Sequence, residues 1–280
     1  MKRNGTEKMT RKRFIVFSAV ISALVIAAPF LCSEQLTETF RTVYSGKITG
    51  PVKLAFLSDV HNSIYGSGMS ELIDSVDRFA PDAVLFGGDL FDRCADENNS
   101  LTLARELARK YPCFYALGNH EFQGGDSFAI RRAAAKAGLN VLGLENNAAE
   151  LTVNGCRIVL TGVDSADRAE QLARAAAAVS DSVFTVLLDH YPEEFPVVAG
   201  KGFDLVLAGH AHGGQWRLPP LINGLYAPGQ GLFPEYTDGE YTIGSSRMIV
   251  SRGLCRLPRD ILFPRILNRP EAVYITLMPA

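Results

Sequence analysis

The sequence predicts an α/β protein in which strands and helices alternate and pack in layers. Short apolar runs bounded by polar turns recur along the chain, which is typical of buried strands. Segments with apolar residues at helical spacing lie between these runs, and such alternation favours a layered α/β fold. No internal repeat or second domain boundary is visible, so we expect one domain over residues 52–280.

The expected strands lie at 52–57, 83–86, 113–117, 151–153, 156–161, 183–188, 204–208, 240–251 and 271–278. The last two of these ranges have an alternating pattern of apolar and polar residues. The expected helices lie at 69–80, 100–110, 126–137 and 166–179. The first helix ends before Pro81 and the third stops at Gly138, because proline and glycine interrupt helices.

Composition excludes several classes of protein. The chain has 28 basic and 30 acidic residues, and residues 1–13 contain six of the basic and one of the acidic ones. The remaining 267 residues therefore carry 22 basic and 29 acidic residues, a charge of about −7, which argues against a nucleic-acid partner. The five cysteines form no C-x-x-C pair, so we expect neither a disulfide framework nor a structural zinc site.

The N-terminus has the pattern of a membrane-targeting segment. Residues 1–13 form a basic block that we expect to remain in the cytoplasm as a tail. Residues 14–33 contain no charge and are just long enough to span a bilayer as a helix, although a cleaved signal sequence fits as well. We expect a polar linker over 34–51. These assignments predict a single-pass protein of the cell membrane whose main domain is extracytoplasmic.

All five histidines lie in short polar motifs: S-D-V-H at 58–61, G-N-H-E at 118–121, D-H-Y at 189–191 and G-H-A-H at 209–212. The stretch G-G-D-L-F-D-R at 87–93 lies between the first two motifs. Each motif follows an expected strand. Because ligands of α/β sheets gather at the carboxyl ends of strands, five strand ends carrying such residues can converge on one site.

The residue types in these motifs are those that bind transition metals. The candidate ligands are Asp59, His61, Asp89, Asn119, His190, His210 and His212, enough for two adjacent ions. Asp59 and His61 are two residues apart, so an extended backbone turns both to one side. A mixed Asp, Asn and His set suits Mn, Fe, Zn or Co, and the histidines disfavour calcium.

Four further residues have alternative interpretations. His120 can remain free for proton transfer, and Asp189 can orient His190. Asp92 and Arg93 either belong to the site or form an ordinary surface ion pair. Two cations in such a site would activate water and clamp an oxyanion, which favours hydrolysis of a phosphate ester.

The ordered pattern D-x-H, G-D-x-x-D-R, G-N-H-E, H and G-H-x-H resembles the calcineurin-like metallophosphoesterase superfamily. The resemblance covers roughly residues 52–278 and implies a four-layer αββα sandwich that binds two divalent metal ions. It implies one ion held by Asp59, His61, Asp89 and His212, and a second held by Asp89, Asn119, His190 and His210. It further implies that a metal-bridging hydroxide attacks phosphorus, with His120 as general acid oriented by Asp92, and Arg93 as a phosphate contact.

Later stretches, including H-G-G-Q-W-R-L-P at 212–219 and N-R-P-E at 268–271, resemble the membrane-attached or exported bacterial phosphodiesterases of that superfamily. This branch implies hydrolysis of a phosphodiester or pyrophosphate in a lipid-linked or nucleotide-linked substrate. A phosphomonoesterase and a non-catalytic metal-binding membrane protein remain the alternatives. The long loop 213–234, rich in glycine and proline, either lines the site through Trp216, Tyr226 and Phe233 or is a packed surface loop.

Overall fold

The computed structural model describes residues 13–18, 34–92, 98–123, 126–144, 148–256 and 265–280. Its strands, in chain order, are β1 Thr37–Ser45, β2 Val52–Leu57, β3 Ala83–Phe86, β4 Cys113–Tyr115, β5 Asn140–Val141, β6 Ala148–Val153, β7 Cys156–Val163, β8 Phe184–Asp189, β9 Leu205–Ala208, β10 Tyr226–Ala227, β11 Gly231–Leu232, β12 Gly239–Ile243, β13 Ser246–Val250 and β14 Glu271–Pro279. The helices of the main domain are α1 Ser70–Phe79, α2 Asn98–Ala108, α3 His120–Gln123, α4 Ser127–Lys136, α5 Arg168–Ala176 and α6 Phe195–Ala199.

Two six-stranded sheets form the centre of the domain. The first has the strand order β1-β14-β2-β3-β4-β5, and the second has the order β12-β13-β9-β8-β7-β6. Strands β2 to β5 are parallel to one another, as are β7, β8, β9 and β13. The predicted α/β fold with mixed sheets is confirmed.

Alternation along the strands creates the layers. In β2, Leu54 and Phe56 belong to the apolar cluster between the two sheets, whereas Ala55 and Leu57 pack with residues of α1 and α2 on the outer face. In β9, Leu207 faces the inner cluster and Val206 belongs to a third cluster with residues of α5 and α6. Helices therefore cover the outer face of each sheet, and the sheets face each other.

The expected linker over 34–51 differs from the structure. Residues 37–45 form β1, which pairs in parallel with β14 along nine residues, from Thr37 opposite Glu271 to Ser45 opposite Pro279. This segment was missed because its burial is irregular and its pairing partner is distant in sequence. It is an edge strand, with Phe40 and Tyr44 exposed on its surface.

Strand β14 runs antiparallel to β2, with Val273 opposite Phe56. The first residues of β14 and of β1 therefore lie at the edge of the sheet where β2, β3 and β4 end. We call this side of the sandwich, where β8 and β9 also end, the carboxyl edge.

The predicted membrane segment over 14–33 lies largely outside the described residues. Residues 13–18 are helical, and Phe14, Ile15, Val16 and Phe17 are exposed. Within the described part of the chain, no helix combines the length and the apolar character needed to cross a bilayer.

Candidate metal centre

The structure brings all seven predicted ligands to the carboxyl edge. Asp59 and His61 follow β2, Asp89 follows β3, and Asn119 follows β4. His190 directly follows β8, whereas His210 and His212 follow β9. The parallel course of these strands explains why residues up to 153 positions apart in sequence meet at one place.

One group of side chains consists of Asp59, His61, Asp89 and His212. Each offers a ligand atom within 4.8 Å of the others. His61 Nε2 lies 3.6 Å from Asp89 Oδ2, and His212 Nε2 lies 3.7 Å from Asp59 Oδ1. The spacing fits side chains that share one ion rather than hydrogen-bond each other.

A second group consists of Asp89, His190 and His210, with ligand atoms again within 4.8 Å of one another. His190 Nε2 lies 3.1 Å from Asp89 Oδ2. Asn119 is tied to this group through the chain, since its neighbour His120 donates its backbone N–H to Asp89 Oδ1 at 2.9 Å. Asp89 is therefore common to both groups.

Three buried polar atoms here, Asp59 Oδ2, His61 Nε2 and Asn119 Oδ1, have no hydrogen-bond partner among the described residues, whereas His190 Nε2 faces Asp89 Oδ2 at 3.1 Å. A buried polar atom without a partner costs about 1–3 kcal/mol, so three in one place require an explanation. Divalent cations supply it, because each atom is an ordinary metal ligand. The donor set thus fits the two ions that the sequence predicts.

The other atoms of the same side chains are fixed by hydrogen bonds. Asp59 Oδ1 accepts the backbone N–H of His210 at 3.0 Å, which joins the ends of β2 and β9. His190 Nδ1 lies 2.7 Å from the carbonyl oxygen of Gly87, and His61 Nδ1 lies 3.3 Å from Asp92 Oδ2. Such contacts orient a histidine and leave Nε2 for a metal.

Backbone conformation is unusual at the ligands. Asp59, His61, Asp89, His210 and His212 all have positive φ, between 46° and 62°. For non-glycine residues this conformation costs about 1 kcal/mol or more each, and it concentrates at functional sites. Gly88 has a φ of 98°, and a Cβ there would lie 2.5 Å from His190 Nδ1. Glycine is therefore required at position 88, where the loop after β3 approaches the ring of His190.

Glu121 lies within the G-N-H-E motif but is not among the site residues that the sequence predicts. Its buried carboxylate accepts backbone N–H groups of Asp89 at 3.1 Å, Phe91 at 3.0 Å and Gly118 at 2.8 Å. It thereby holds the loops after β3 and β4 together. In the sequence, only the position of Glu121 directly after His120 indicates that it belongs to the site. Its hydrogen bonds to backbone N–H groups cannot be predicted from side-chain chemistry.

Burial and charge shift the pKa values of the site in opposite directions. Burial lowers the pKa of His190, but the carboxylates of Asp89 and Asp59 outweigh it and raise the pKa to about 10. Burial raises the pKa of Asp89, yet His190 and His61 bring it well below its ordinary value. Burial lowers the pKa of His210 to about 4. Without metal, Asp89 and His190 therefore favour each other's charged forms, whereas burial favours the neutral form of His210.

His120, Asp92 and Asp189 have surroundings that refine the predictions. His120 Nδ1 lies 3.7 Å from Asp92 Oδ1, farther than the 3.3 Å between Asp92 Oδ2 and His61 Nδ1. Burial lowers the pKa of His120, but Asp92 and Asp89 outweigh it and raise the pKa. Asp189 does not orient His190. It forms a bidentate ion pair with Arg168, whose Nη1 and Nη2 donate to Asp189 Oδ1 at 3.0 Å and Oδ2 at 2.9 Å. Arg93 lies outside the described residues.

Two of the three aromatic side chains that could line the site from the loop 213–234 are largely exposed, whereas Trp216 is half-buried. Tyr226 is 50% exposed and Phe233 is 66% exposed. The loop nevertheless begins at a ligand, since His212 opens the turn His212–Gly214.

A family model described as calcineurin-like phosphoesterase matches residues 52–214, which contain all seven predicted ligands. The chain belongs to this family. The family typically binds two divalent metal ions, so the match agrees with the cluster of ligand atoms.

Two curated relatives match nearly the whole chain. The uncharacterized metallophosphoesterase YkuE of Bacillus subtilis is 28% identical over 97% of this chain and 98% of its own. The phosphodiesterase YaeI of Escherichia coli is 29% identical over 96% of this chain and 100% of its own. Among solved structures, TT1561 of Thermus thermophilus has a TM-score of 0.50 at 15% identity, covering 72% of this chain and 90% of that one, which is a likeness of fold.

Proposed function

We propose that the protein hydrolyses a phosphodiester or a pyrophosphate with two divalent metal ions. The observation that carries the proposal is the pair of ligand groups joined at Asp89, in which buried ligand atoms lack hydrogen-bond partners among the described residues. A non-catalytic metal-binding protein needs neither the paired arrangement nor a titratable side chain beside it, and His120 is such a side chain.

In this proposal one ion is held by Asp59, His61, Asp89 and His212. The other is held by Asp89, Asn119, His190 and His210. When bound, ions of this kind polarise a phosphoryl oxygen and lower the pKa of water. The chain itself fixes the ligands, through Glu121 for Asp89 and through the Gly87 carbonyl for His190.

His120 is the proposed general acid. Its pKa is raised by Asp92 and Asp89 against the effect of burial, so the imidazolium form persists to higher pH than for an ordinary histidine. It is half-buried at the start of α3, beside His61, whose ring centre is 4.5 Å from its own. A proton held there can pass to the leaving oxygen of a substrate at the metal centre.

Two arguments favour a diester over a monoester. YaeI of Escherichia coli is named a phosphodiesterase, and the similarity to this chain covers the whole of that protein. In addition, Arg168, whose guanidinium lies over the ring of Tyr191 next to His190, is engaged by Asp189 rather than presented to a dianionic phosphate. Arg93, which would favour a monoester, lies outside the described residues.

We also propose that the chain is anchored in the cell membrane by residues 14–33, with the domain outside the cytoplasm. The support is the uncharged composition of this segment, the basic block before it, and the exposed apolar residues Phe14 to Phe17. A lipid-linked or nucleotide-linked substrate is compatible with this location.

The test compares initial rates of the full chain, purified in detergent and loaded with Mn²⁺, on a chromogenic phosphodiester and its matched monoester. We expect a clear preference for the diester, and no turnover in the His120→Asn variant above a few per cent. Preference for the monoester would replace the proposal by a phosphomonoesterase. Two bound ions without turnover of either ester would favour the non-catalytic alternative.

A further inference from the structure

The loop that follows the metal ligands presents an apolar face to solvent. Residues 216–218 hydrogen-bond with residues 222–225, through Leu218 to Ile222 and Leu225 to Trp216, and β10 pairs with β11. The exposed apolar residues are Leu218, Leu221, Tyr226, Leu232 and Phe233, which are between 48% and 80% exposed, and Tyr226 lies opposite Leu232 in the β10–β11 pair. We call these five residues the apolar face.

The segment that carries this face is unusual in composition. Residues 218–233 contain no charged side chain, although the chain as a whole is 21% charged. Clustered apolar residues on a soluble surface mark a contact site, whereas isolated ones are ordinary. Interfaces between proteins usually have a polar rim around an apolar centre. Residues 218–233 offer no charged side chain to the polar rim of a protein partner.

The face is held on an ordered base. Arg217 is buried, pairs with Asp238 at 2.6 Å and donates to Asn223 Oδ1 at 2.9 Å. Gln230 exchanges hydrogen bonds with the backbone of Tyr236 at 2.8 and 2.9 Å. An ion pair and side-chain hydrogen bonds therefore hold the backbone that carries the five apolar residues.

The segment 265–270 places three features side by side. Arg217 donates its backbone N–H to the carbonyl of Ile266 at 3.0 Å, and Asn268 donates to the carbonyl of His212 at 2.7 Å. Thr37, the first residue of β1, donates to the carbonyl of Pro270 at 2.8 Å. The base of the apolar face, a metal ligand and the entry of the chain into the domain therefore share one edge.

The chain outside the domain fixes which partner lies at this edge. The uncharged run 14–33 ends four residues before Thr37, a distance of at most about 14 Å for an extended chain. A bilayer that holds this run lies close to the carboxyl edge. We propose that the apolar face docks on the surface of that phospholipid bilayer and turns the metal centre toward the lipid headgroups.

This orientation favours a phosphodiester or pyrophosphate carried by a membrane lipid over a freely diffusing one. That consequence for the substrate rests on the proposed hydrolysis, whereas docking itself rests on the proposed membrane anchor and not on the hydrolysis. An amphipathic surface of this kind typically buries its apolar side chains about 5–10 Å into the boundary between headgroups and acyl chains.

Trp216 provides a direct probe, because it is the only tryptophan in the chain and stands at the base of the apolar face. The full chain is reconstituted into phosphatidylcholine vesicles with or without dibrominated acyl chains, and the emission of Trp216 is measured. Bromine quenches at short range, so docking should reduce emission about twofold in brominated vesicles.

The test variant is Leu221→Asp with Leu232→Asp, since both side chains are largely exposed and their change spares the core. The matched control is Tyr44→Asp, which is 60% exposed near the far end of β1, about 23 Å from Thr37. We expect the control to be quenched like the wild type and the double variant to lose most of the quenching, with unchanged thermal midpoints for both. Equal quenching in all three, or none in the wild type, would overturn the proposal.

A second copy of the chain as the occupant would show as a concentration-dependent shift of Trp216 emission in detergent without bromolipid quenching, and would also overturn it. Activity separates this proposal from the function. We expect the double variant to hydrolyse a soluble diester at the wild-type rate and a diacylglycerol-linked diester at least about tenfold more slowly. Quenching without turnover of either ester would retain docking and reject the proposed function.

Discussion

The two sheets contribute different chemistry to the metal centre. The first sheet supplies Asp59, Asp89 and Asn119, all of the proposed oxygen ligands, together with one imidazole, His61. The second sheet supplies imidazoles alone, from His190, His210 and His212. The negative charge of the centre therefore comes from one side of the sandwich.

Because of this difference, the two sheets should control different aspects of the binding of the two proposed ions. Each proposed ion takes ligands from both sheets, so binding joins the two halves of the domain at the carboxyl edge. The first sheet should decide whether cations bind at all, because it neutralises their charge. The second sheet should decide which of the two positions is filled, because its neutral ligands are divided between them.

The largest expected effect follows from removal of the shared carboxylate. Asp89→Asn should lower the rate of diester hydrolysis about 10³-fold, because it removes several kcal/mol of charge stabilisation at 1.36 kcal/mol per tenfold. Bound Mn²⁺, measured by mass spectrometry of the desalted protein, should fall below one equivalent. Asp74→Asn, a change at an exposed carboxylate, is the control. Retention of two ions by Asp89→Asn would contradict the central role of the first sheet.

A change in the second sheet should remove one ion and spare the other. His190→Ala should weaken the second ion about 100-fold, while the ion held by Asp59, His61, Asp89 and His212 remains. Calorimetric titration with Mn²⁺ should then show one tight equivalent in place of two. Loss of both equivalents would show that the two sheets are not separable in this way.

Removal of metal should loosen the joint between the sheets. At a free metal concentration of 100 Kd, each ion contributes about 2.7 kcal/mol to the free energy of unfolding. For a domain of this size, chelation should lower the thermal midpoint by about 5–10 °C per ion, with recovery on addition of Mn²⁺. The thermal midpoint of the Asp89→Asn variant should not change on chelation. A wild-type midpoint insensitive to chelation would contradict the claim that bound ions hold the two sheets together.

The smallest expected effect is on pH dependence. The pKa of His190 is raised to about 10 in the metal-free protein, so an ion must displace its proton at neutral pH. The affinity for the second ion should rise about tenfold between pH 7.5 and 8.5, with one proton released. Because the folded pKa lies above the unfolded value of about 6.5, the proton also stabilises the metal-free fold below pH 6.5, and this is lost as pH rises through 10.

Calorimetry in two buffers of different ionisation enthalpy counts the released protons. His190→Gln removes the titrating ring and should flatten the dependence on pH. An unchanged slope in that variant would assign the proton to another group.

Much of the fold was predictable because the strands that carry ligands are buried on both faces. The apolar runs at 52–57 and 83–86 coincide with β2 and β3, and the family expectation agrees with the model that matches residues 52–214. Strand β1 was not predictable, because its burial is irregular and its partner β14 lies more than 230 residues away. Edge strands paired at long range leave no periodic signal in a sequence.

The site was predictable where side-chain chemistry alone identifies a ligand. The seven candidate ligands meet at the carboxyl edge, although their roles as ligands remain a proposal. Glu121 was not assigned, because its carboxylate serves backbone N–H groups that any sequence would offer. The Arg168 partner of Asp189 was likewise invisible, since their pairing depends on how α5 packs beside β8.

The most direct test of the dinuclear centre is a titration of activity against bound metal. The full chain would be stripped of metal, and its rate on a chromogenic diester measured as Mn²⁺ is added in known equivalents. We predict little turnover up to one equivalent, then a rise that saturates at two, because hydrolysis requires both positions around Asp89. Full turnover in the stripped protein, or saturation at one equivalent, would contradict the two-ion centre.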